Sequence, residues 1–233
     1  MEIRKNIEIV GLGLKVNNNL VITDLHLGYE ESLNKQGVMI PRFQFDEIMK
    51  HLKEIFKIKN RFEKIIINGD LTNEFGSILN QEWRHTLQLL DFLAGHCGEV
   101  IVIKGNHDTM LTPITKKRGV KVLDQYIDKD ILFIHGDDIV DIPREVKTII
   151  IGHEHPAVTL KDRSRTELFK CFLVGEFDGR ELIVLPSFHF VTEGHDVLKE
   201  EVFSPYLEQN LDNFRVIIVD DKVYDFGRVR DIS

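Results

Sequence analysis

Five times along the chain an apolar run ends and side chains able to hold a metal ion follow at once. Leu20-Val21-Ile22-Thr23 leads into Asp24-Leu25-His26, and Lys64-Ile65-Ile66-Ile67-Asn68 leads into Gly69-Asp70. Val100-Ile101-Val102-Ile103-Lys104 leads into Gly105-Asn106-His107-Asp108, and Ile131-Leu132-Phe133-Ile134 into His135-Gly136-Asp137. Thr148-Ile149-Ile150-Ile151 leads into Gly152-His153-Glu154-His155. Short, continuous Val/Ile runs predict strands covered on both faces. Ligands of α/β sheets bind at the carboxyl ends of strands, so five such ends would converge on one crevice. A lone histidine at a strand end is more often structural, and Gly-Asp alone carries little. Five of the ten histidines fall in these segments, and it is the joint pattern that points to function.

The rest of the chain limits the fold. Further apolar runs at residues 7–12, 167–174, 181–186 and 215–219 predict more strands, with a hairpin turning at Asp220, Asp221 and Lys222. Two helices are expected. One runs from Pro41 to about Lys57, with Pro41 at its start and Phe45, Ile48, Met49, Leu52, Ile55 and Phe56 on one side. The other runs from Ser77 to about His96, with Ser77 as cap and a stripe of Trp83, Leu87, Leu90 and Leu93. Helices alternate with strands in the first half and strands dominate the second, which predicts a mixed α/β sandwich. No repeat or linker divides residues 1–233, so a single domain is expected.

Composition excludes some classes. No apolar run approaches the ~18–20 residues of a membrane span, and the N-terminal MEIRKNIEIV has no apolar leader, so no membrane partner is expected. Cys97 and Cys171 stand far apart and outside any metal-binding spacing, which fits buried or free thiols in a reducing cytoplasm. A net charge of −8 argues against coating long duplex DNA by phosphate neutralisation. It leaves a phosphate substrate open, because bound metal ions can be the largest local positive charges. Carboxylate, imidazole and amide ligands accept several divalent ions and do not select one; Mn²⁺ is the expectation, with Fe, Zn, Ni or Co as alternatives. Asp70, alone on its loop after Gly69, is the natural carboxylate to bridge two of them.

In the order DLH, GD, GNHD, H and GHEH, from Asp24 to His155, the sequence resembles the calcineurin-like metallophosphoesterase superfamily. More narrowly, DLHLGYEESL, GVMIP and GHEHPAV resemble small archaeal and bacterial phosphoesterases related to ligase-associated DNA damage response endonucleases. The resemblance implies a four-layer αββα sandwich with two mixed sheets. It implies one metal held by Asp24, His26, Asp70 and His155, and a second by Asp70, Asn106, His135 and His153. The implied reaction is phosphate-ester hydrolysis by a hydroxide shared between the two ions.

On this reading His107 is not a ligand but protonates the leaving group, and Asp108 orients its imidazole. A turn or capping carboxylate is the equal alternative for Asp108. Asn73 either supports a ligand or shapes its loop, and Asp137 either lies behind the site or in a solvated turn. His189 and His195 lie outside the signature, where an ordinary surface loop is the favoured reading. The basic stretch Lys161, Arg163 and Arg165 is read first as a solvated loop and second as a contact for substrate phosphate; Lys116, Lys117 and Arg118 are read the same way. A phosphodiesterase is the favoured function, with single-stranded or nicked nucleic acid as a candidate substrate. A phosphomonoesterase or nucleotide phosphatase is the alternative, and a non-catalytic scaffold the third. Gly69-Asp70-Leu71-Thr72 lacks the Asp-Arg-Gly of the protein Ser/Thr phosphatases.

Overall fold

The computed structural model describes residues 1–73, 80–108, 111, 115, 118–162 and 165–232. The N-terminal sheet runs in order β1 (Glu2–Arg4), β2 (Ile7–Val10), β3 (Gly13–Val16), β4 (Asn19–Ile22), β5 (Lys64–Asn68), β6 (Glu99–Ile103) and β7 (Lys121–Leu123). The first four strands form an antiparallel meander, and β4 to β7 are parallel. The second sheet holds β8 (Tyr126–Asp128), β9 (Ile131–Phe133), β10 (Thr148–Ile151), β11 (Pro156–Asp162), β12 (Arg165–Phe177), β13 (Arg180–Val184) and β14 (His195–Asp196). It is completed by the predicted C-terminal hairpin of β15 (Arg215–Val219) and β16 (Val223–Arg228). Here β9, β10 and β13 are parallel neighbours.

Alternate residues of single strands enter different cores, which is why these runs are apolar without interruption. Ile65 and Ile67 face the helices while Ile66 faces the other sheet. Ile149 and Ile151 face outward while Ile150 meets the first sheet. Helix α2 (Gln44–Ile58) buries Ile48, Leu52, Ile55 and Phe56 on the first sheet, and α3 (Asn80–Ala94) adds Leu89, Leu90 and Leu93. These layers match the expected α/β sandwich with two mixed sheets. The outer face of the second sheet is covered differently. Among the described residues its lid is a 3₁₀ turn at Pro205–Leu207, which buries Tyr206 and Leu207, with Val146 and Phe214 from loops beside it.

The helix starts differ from expectation. Pro41 lies ahead of α2, whose first turn is capped by the buried Glu30: its Oε1 accepts the backbone N–H groups of Phe43 at 2.6 Å and Gln44 at 2.8 Å. The helix begins where its unpaired N–H groups find that carboxylate. Glu30 sits on a short helix, α1 (Tyr29–Lys35), that was not foreseen. The expected Ser77 cap lies outside the described residues. No described helix is long and apolar enough to cross a membrane. Both cysteines are buried and unpaired.

One turn carries strain that can be removed. Lys129 and Asp130 join β8 to β9, with Asp128 opposite Ile131, and Lys129 adopts φ 60. A left-handed lysine costs roughly 1 kcal/mol that glycine avoids. Lys129→Gly is expected to raise the thermal midpoint by about 2–4 °C, measured by thermal unfolding.

Candidate metal centre

Parallel register brings the motifs to one level. Ile22 lies opposite Ile67 and Asn68 opposite Ile103, so β4, β5 and β6 end together. In the second sheet Phe133 lies opposite Ile150, and β9 and β10 end beside them. Immediately past these ends the backbone turns sharply. Asp24 (φ 53), His26 (φ 44), Asp70 (φ 48), His153 (φ 64) and His155 (φ 50) all lie in the left-handed region. Each such residue costs on the order of 1–3 kcal/mol, and clusters of them mark sites where side-chain aim matters more than backbone comfort.

The seven expected ligands meet there in two sets. In the first, Asp24 Oδ1 lies 3.3 Å from His155 Nε2, which lies 3.2 Å from His26 Nε2. His26 Nε2 is in turn 3.7 Å from Asp70 Oδ2. In the second, His135 Nε2 is 3.3 Å from Asp70 Oδ2, 3.2 Å from Asn106 Oδ1 and 3.3 Å from His153 Nδ1. Asp70 belongs to both. Donors bound to one metal at ~2.1 Å are separated by about 3.0–3.4 Å at octahedral to tetrahedral angles, which is the spacing found for every pair quoted except His26 and Asp70. The donor chemistry also fits a cation. His135 Nδ1 faces the Asn68 carbonyl at 3.2 Å, so Nδ1 donates there and Nε2 is the nitrogen left to a cation. Two ring nitrogens facing each other across 3.2 Å in the first set repeat that pattern.

Small residues make room for this. A Cβ on Gly69 would lie 2.0 Å from His135 Nδ1, one on Gly105 2.0 Å from Asp70 Oδ1, and one on Gly152 2.0 Å from Thr23 Oγ1. The Thr23 hydroxyl lies 2.9 Å from both Asp24 Oδ2 and the Asn68 carbonyl, which share its one hydrogen. The His153 N–H donates to the Asp24 carboxylate at 3.0 Å. Thr23 and Asn68 were not singled out in the sequence, because each reads as the last polar residue of a strand.

Charge is concentrated where water is scarce. Burial alone would raise the Asp24 carboxyl, but the imidazoles of His155, His135 and His26 outweigh it and hold it well below the usual carboxylate range. Burial and the neighbouring His155 push His26 down to about 3. Burial would also lower His135, yet the hydrogen-bonded Asp70 carboxylate and Asp24 raise it to about 10.

His107 lies at the rim. Its N–H donates to Asp70 Oδ1 at 3.0 Å, its Nδ1 faces the Asn73 carbonyl at 2.9 Å, and its Nε2 is 4.0 Å from Asp70 Oδ2. Asn73 therefore shapes the loop and orients His107 through its backbone. Asp108 does not take the orienting role considered for it. Its Oδ2 accepts from the N–H groups of Leu71 (3.2 Å) and Gly105 (3.1 Å), and its Oδ1 from the Thr72 N–H (3.0 Å) and hydroxyl (3.1 Å). It is the turn carboxylate that fixes the loop after Asp70. Asp137 is half-buried just past His135.

His189 and His195 are not surface residues; both are buried. His195 donates its N–H to the His155 carbonyl at 2.9 Å, and its ring lies between Glu200 at 3.2 Å and Glu154 at 3.7 Å. Glu154 binds the N–H groups of Phe203 and Ser204, each at 2.8 Å, and so anchors a loop to the His153–His155 turn. Lys161 and Arg165 close the β11–β12 hairpin, which starts beside His155 and carries Lys161 about 20 Å away along the strand. The hairpin is the physical reason that they face solvent away from the site; Arg165 pairs with Glu167. Arg118 pairs with Asp91, while Lys116, Lys117 and Arg163 lie outside the described residues.

The family model of the calcineurin-like phosphoesterases matches residues 19–218. Comparison with curated proteins returned no match. Among solved structures the chain is similar to the nuclease MPE of Pseudomonas putida, with 17% identity over 93% of each chain and a TM-score of 0.59. That likeness is one of fold. The phosphoesterase Yfce from E. coli aligns with 12% identity over 92% of this chain and 99% of its own, with a TM-score of 0.44.

Two outcomes follow from the hydrogen bonds. Asp108→Asn replaces one acceptor oxygen by a donor facing two N–H groups. It should cost about 2–4 kcal/mol in denaturant unfolding and leave the pH profile of any residual activity unchanged. Lys170, 6% exposed, donates to Ser187 Oγ and the Thr192 carbonyl, and burial lowers its pKa to about 8. The unfolded chain then binds more protons between about pH 8 and 10.5, so this group makes stability rise with pH across that window. The difference between pH 8 and 10.5 in unfolding free energy should exceed that of Lys170→Met by on the order of 3 kcal/mol.

Proposed function

The chain belongs to the calcineurin-like phosphoesterase family, and on that premise we propose that it is a phosphodiesterase that works with two divalent ions, Mn²⁺ foremost. The ions are assigned to Asp24, His26, Asp70 and His155 on one side and to Asp70, Asn106, His135 and His153 on the other. The observation that carries this reading is the environment of His135 Nε2. It faces Asp70 Oδ2, Asn106 Oδ1 and His153 Nδ1 at 3.2–3.3 Å while its other nitrogen is occupied by a backbone carbonyl. With no ion, a protonated His135 answers the Asp70 carboxylate, which is why its pKa is raised; a shared cation would take the place of that proton and engage all four facing atoms at once.

Bound divalent ions supply Lewis-acid polarisation of the phosphoryl oxygens and a water of lowered pKa. The chain's own part is to aim and to move a proton. The Asn73 carbonyl fixes Nδ1 of His107 as a donating nitrogen, so a second proton on that ring sits on Nε2, the atom 4.0 Å from Asp70 Oδ2. From there it can pass to a departing ester oxygen. Asp108 holds the loop that carries Asp70, and Gly105 lets the Asp70 carboxylate approach the following turn. The site is open. Asn106 is exposed and His107, His153 and His155 are half-buried, which leaves room on both sides of a phosphorus carrying two substituents. That openness favours a diester over a monoester, and single-stranded or nicked nucleic acid is the macromolecular substrate we put first. A cytoplasmic setting fits the free thiols.

Protein stripped with chelator and restored with Mn²⁺ should hydrolyse bis-p-nitrophenyl phosphate well above p-nitrophenyl phosphate, and Asp70→Asn should abolish both. A monoester preference would replace the diesterase reading with a phosphatase. Metal bound without turnover of either ester would point to a scaffold. His107→Ala should keep its metal content and lose roughly 10²–10⁴-fold in rate on poor leaving groups, with a smaller loss on p-nitrophenyl esters. Equal rates on poor leaving groups would remove His107 from the proton-transfer role.

A further inference from the structure

A ligating imidazole needs a partner on its second nitrogen, which fixes the tautomer and the ring plane. His135 has the Asn68 carbonyl for this purpose. His26 has none: its Nε2 is turned to His155 and Asp70, and its Nδ1 is buried without a hydrogen-bond partner. Two other orphaned atoms lie on residues packed against it. His189, 2% exposed, sets its ring edge-on to that of His26 at 5.8 Å between centroids and an angle of 87°, and its Nε2 is buried and unpartnered. Gln44 donates its amide to the backbone carbonyls of Leu25 (2.6 Å) and His26 (3.2 Å), leaving its Oε1 buried and unpartnered.

The position of His189 is fixed independently of His26. The preceding Phe188 donates its N–H to the Thr23 carbonyl at 2.8 Å, which pins this loop across the strand end that carries Asp24 and His26. Tyr29 packs edge-on against the His189 ring at 4.8 Å, and Thr192 Oγ1 is 3.4 Å from its Nδ1. An imidazole held this firmly, with one nitrogen left over next to a metal-site histidine, is built to meet something. Buried polar atoms left alone each cost about 1–3 kcal/mol. A buried water commonly joins about three of them.

We propose that His189 is a positioning residue for His26, acting through one buried water that joins His26 Nδ1, His189 Nε2 and Gln44 Oε1. The water accepts the His26 Nδ1 proton, donates to Gln44 Oε1, and takes whichever role His189 Nε2 requires. His26 is thereby held as the Nδ1–H tautomer with Nε2 presented to the ion. This rests on the assignment of His26 as a metal ligand.

The test compares Mn²⁺ binding by titration calorimetry with thermal unfolding of the chelator-treated protein. The variants are His189→Phe, His189→Gln and, for the underlying assignment, His26→Ala. His189→Phe keeps a flat aromatic ring, one member larger, and removes its polar atoms. It should weaken Mn²⁺ binding about 10–100-fold while the metal-free melting temperature stays level or rises, and His189→Gln should recover much of the affinity. Wild-type Mn²⁺ affinity in His189→Phe, with binding lost in His26→Ala, would overturn the positioning role alone. Unchanged binding in His26→Ala would overturn the ligand assignment and the proposal together. A fall in affinity matched by a fall in metal-free stability, without recovery in His189→Gln, would mean that His189 only packs and would also overturn it. A crystal structure of the Zn²⁺-loaded protein should show the water; His26 Nδ1 bonded directly to another group would rule it out.

Discussion

The side chain of Asn68 holds the two sheets at the height of the site. It is fully buried at the end of β5, and its amide donates to the carbonyls of Ile134 (2.7 Å) and Ile150 (3.2 Å), both in the opposite sheet. Its own backbone carbonyl receives the Thr23 hydroxyl and faces His135 Nδ1. One residue thus satisfies strand-end backbone groups across the sandwich and orients the His135 ring through its Nδ1. Apolar contacts between the sheets fix their distance only loosely, because burial is not directional. Hydrogen bonds from a short, stiff side chain fix their offset along the strands, and that offset decides whether Asp70 from one sheet meets His135 from the other.

Around this clamp, local comfort is given up for aim. Five of the seven residues assigned to the ions adopt left-handed backbone angles. None is β-branched, and Asp and His tolerate this region better than most residues. Polar groups behind them hold the turns in place. The Asp24 carboxylate receives the His153 N–H, the Asp108 carboxylate receives three N–H groups from the turns at residues 69–72 and 105, and Glu154 receives two from residues 203 and 204. The strain is local, and the burial of continuous Val and Ile runs in three cores outweighs it.

How much was legible in the sequence follows from what is periodic or local. Strands such as Lys64–Asn68 and Thr148–Ile151 show themselves because both faces are buried, and their polar ends show where the site lies. The five segments that carry the proposed ligands could be picked out from residue type and position after a strand, and the choice of ligands within them came from the family resemblance. Partnerships between distant residues could not. Asp108 beside His107 looked like its partner, but its oxygens reach back 36 and 37 residues to the backbone of Thr72 and Leu71. His189 and His195 looked like surface residues because their loop is polar, yet the loop folds inward over the strand ends. The start of α2 was misplaced for the same reason: its cap, Glu30, is supplied from another helix. The thin cover on the second sheet left no helical period to detect.

The division of the centre between the sheets has a mechanical consequence. Asp24, His26, Asp70 and Asn106 hang from the first sheet, and His135, His153 and His155 from the second. The first half carries both carboxylates and the second only imidazoles. Ions bridging them would act as rivets through a seam, adding to the Asn68 clamp in carrying shear between the two layers. In such a body the functional centre is also the stiffest joint. Slow breathing of one sheet over the other would then be governed by ion occupancy rather than by the hydrophobic core.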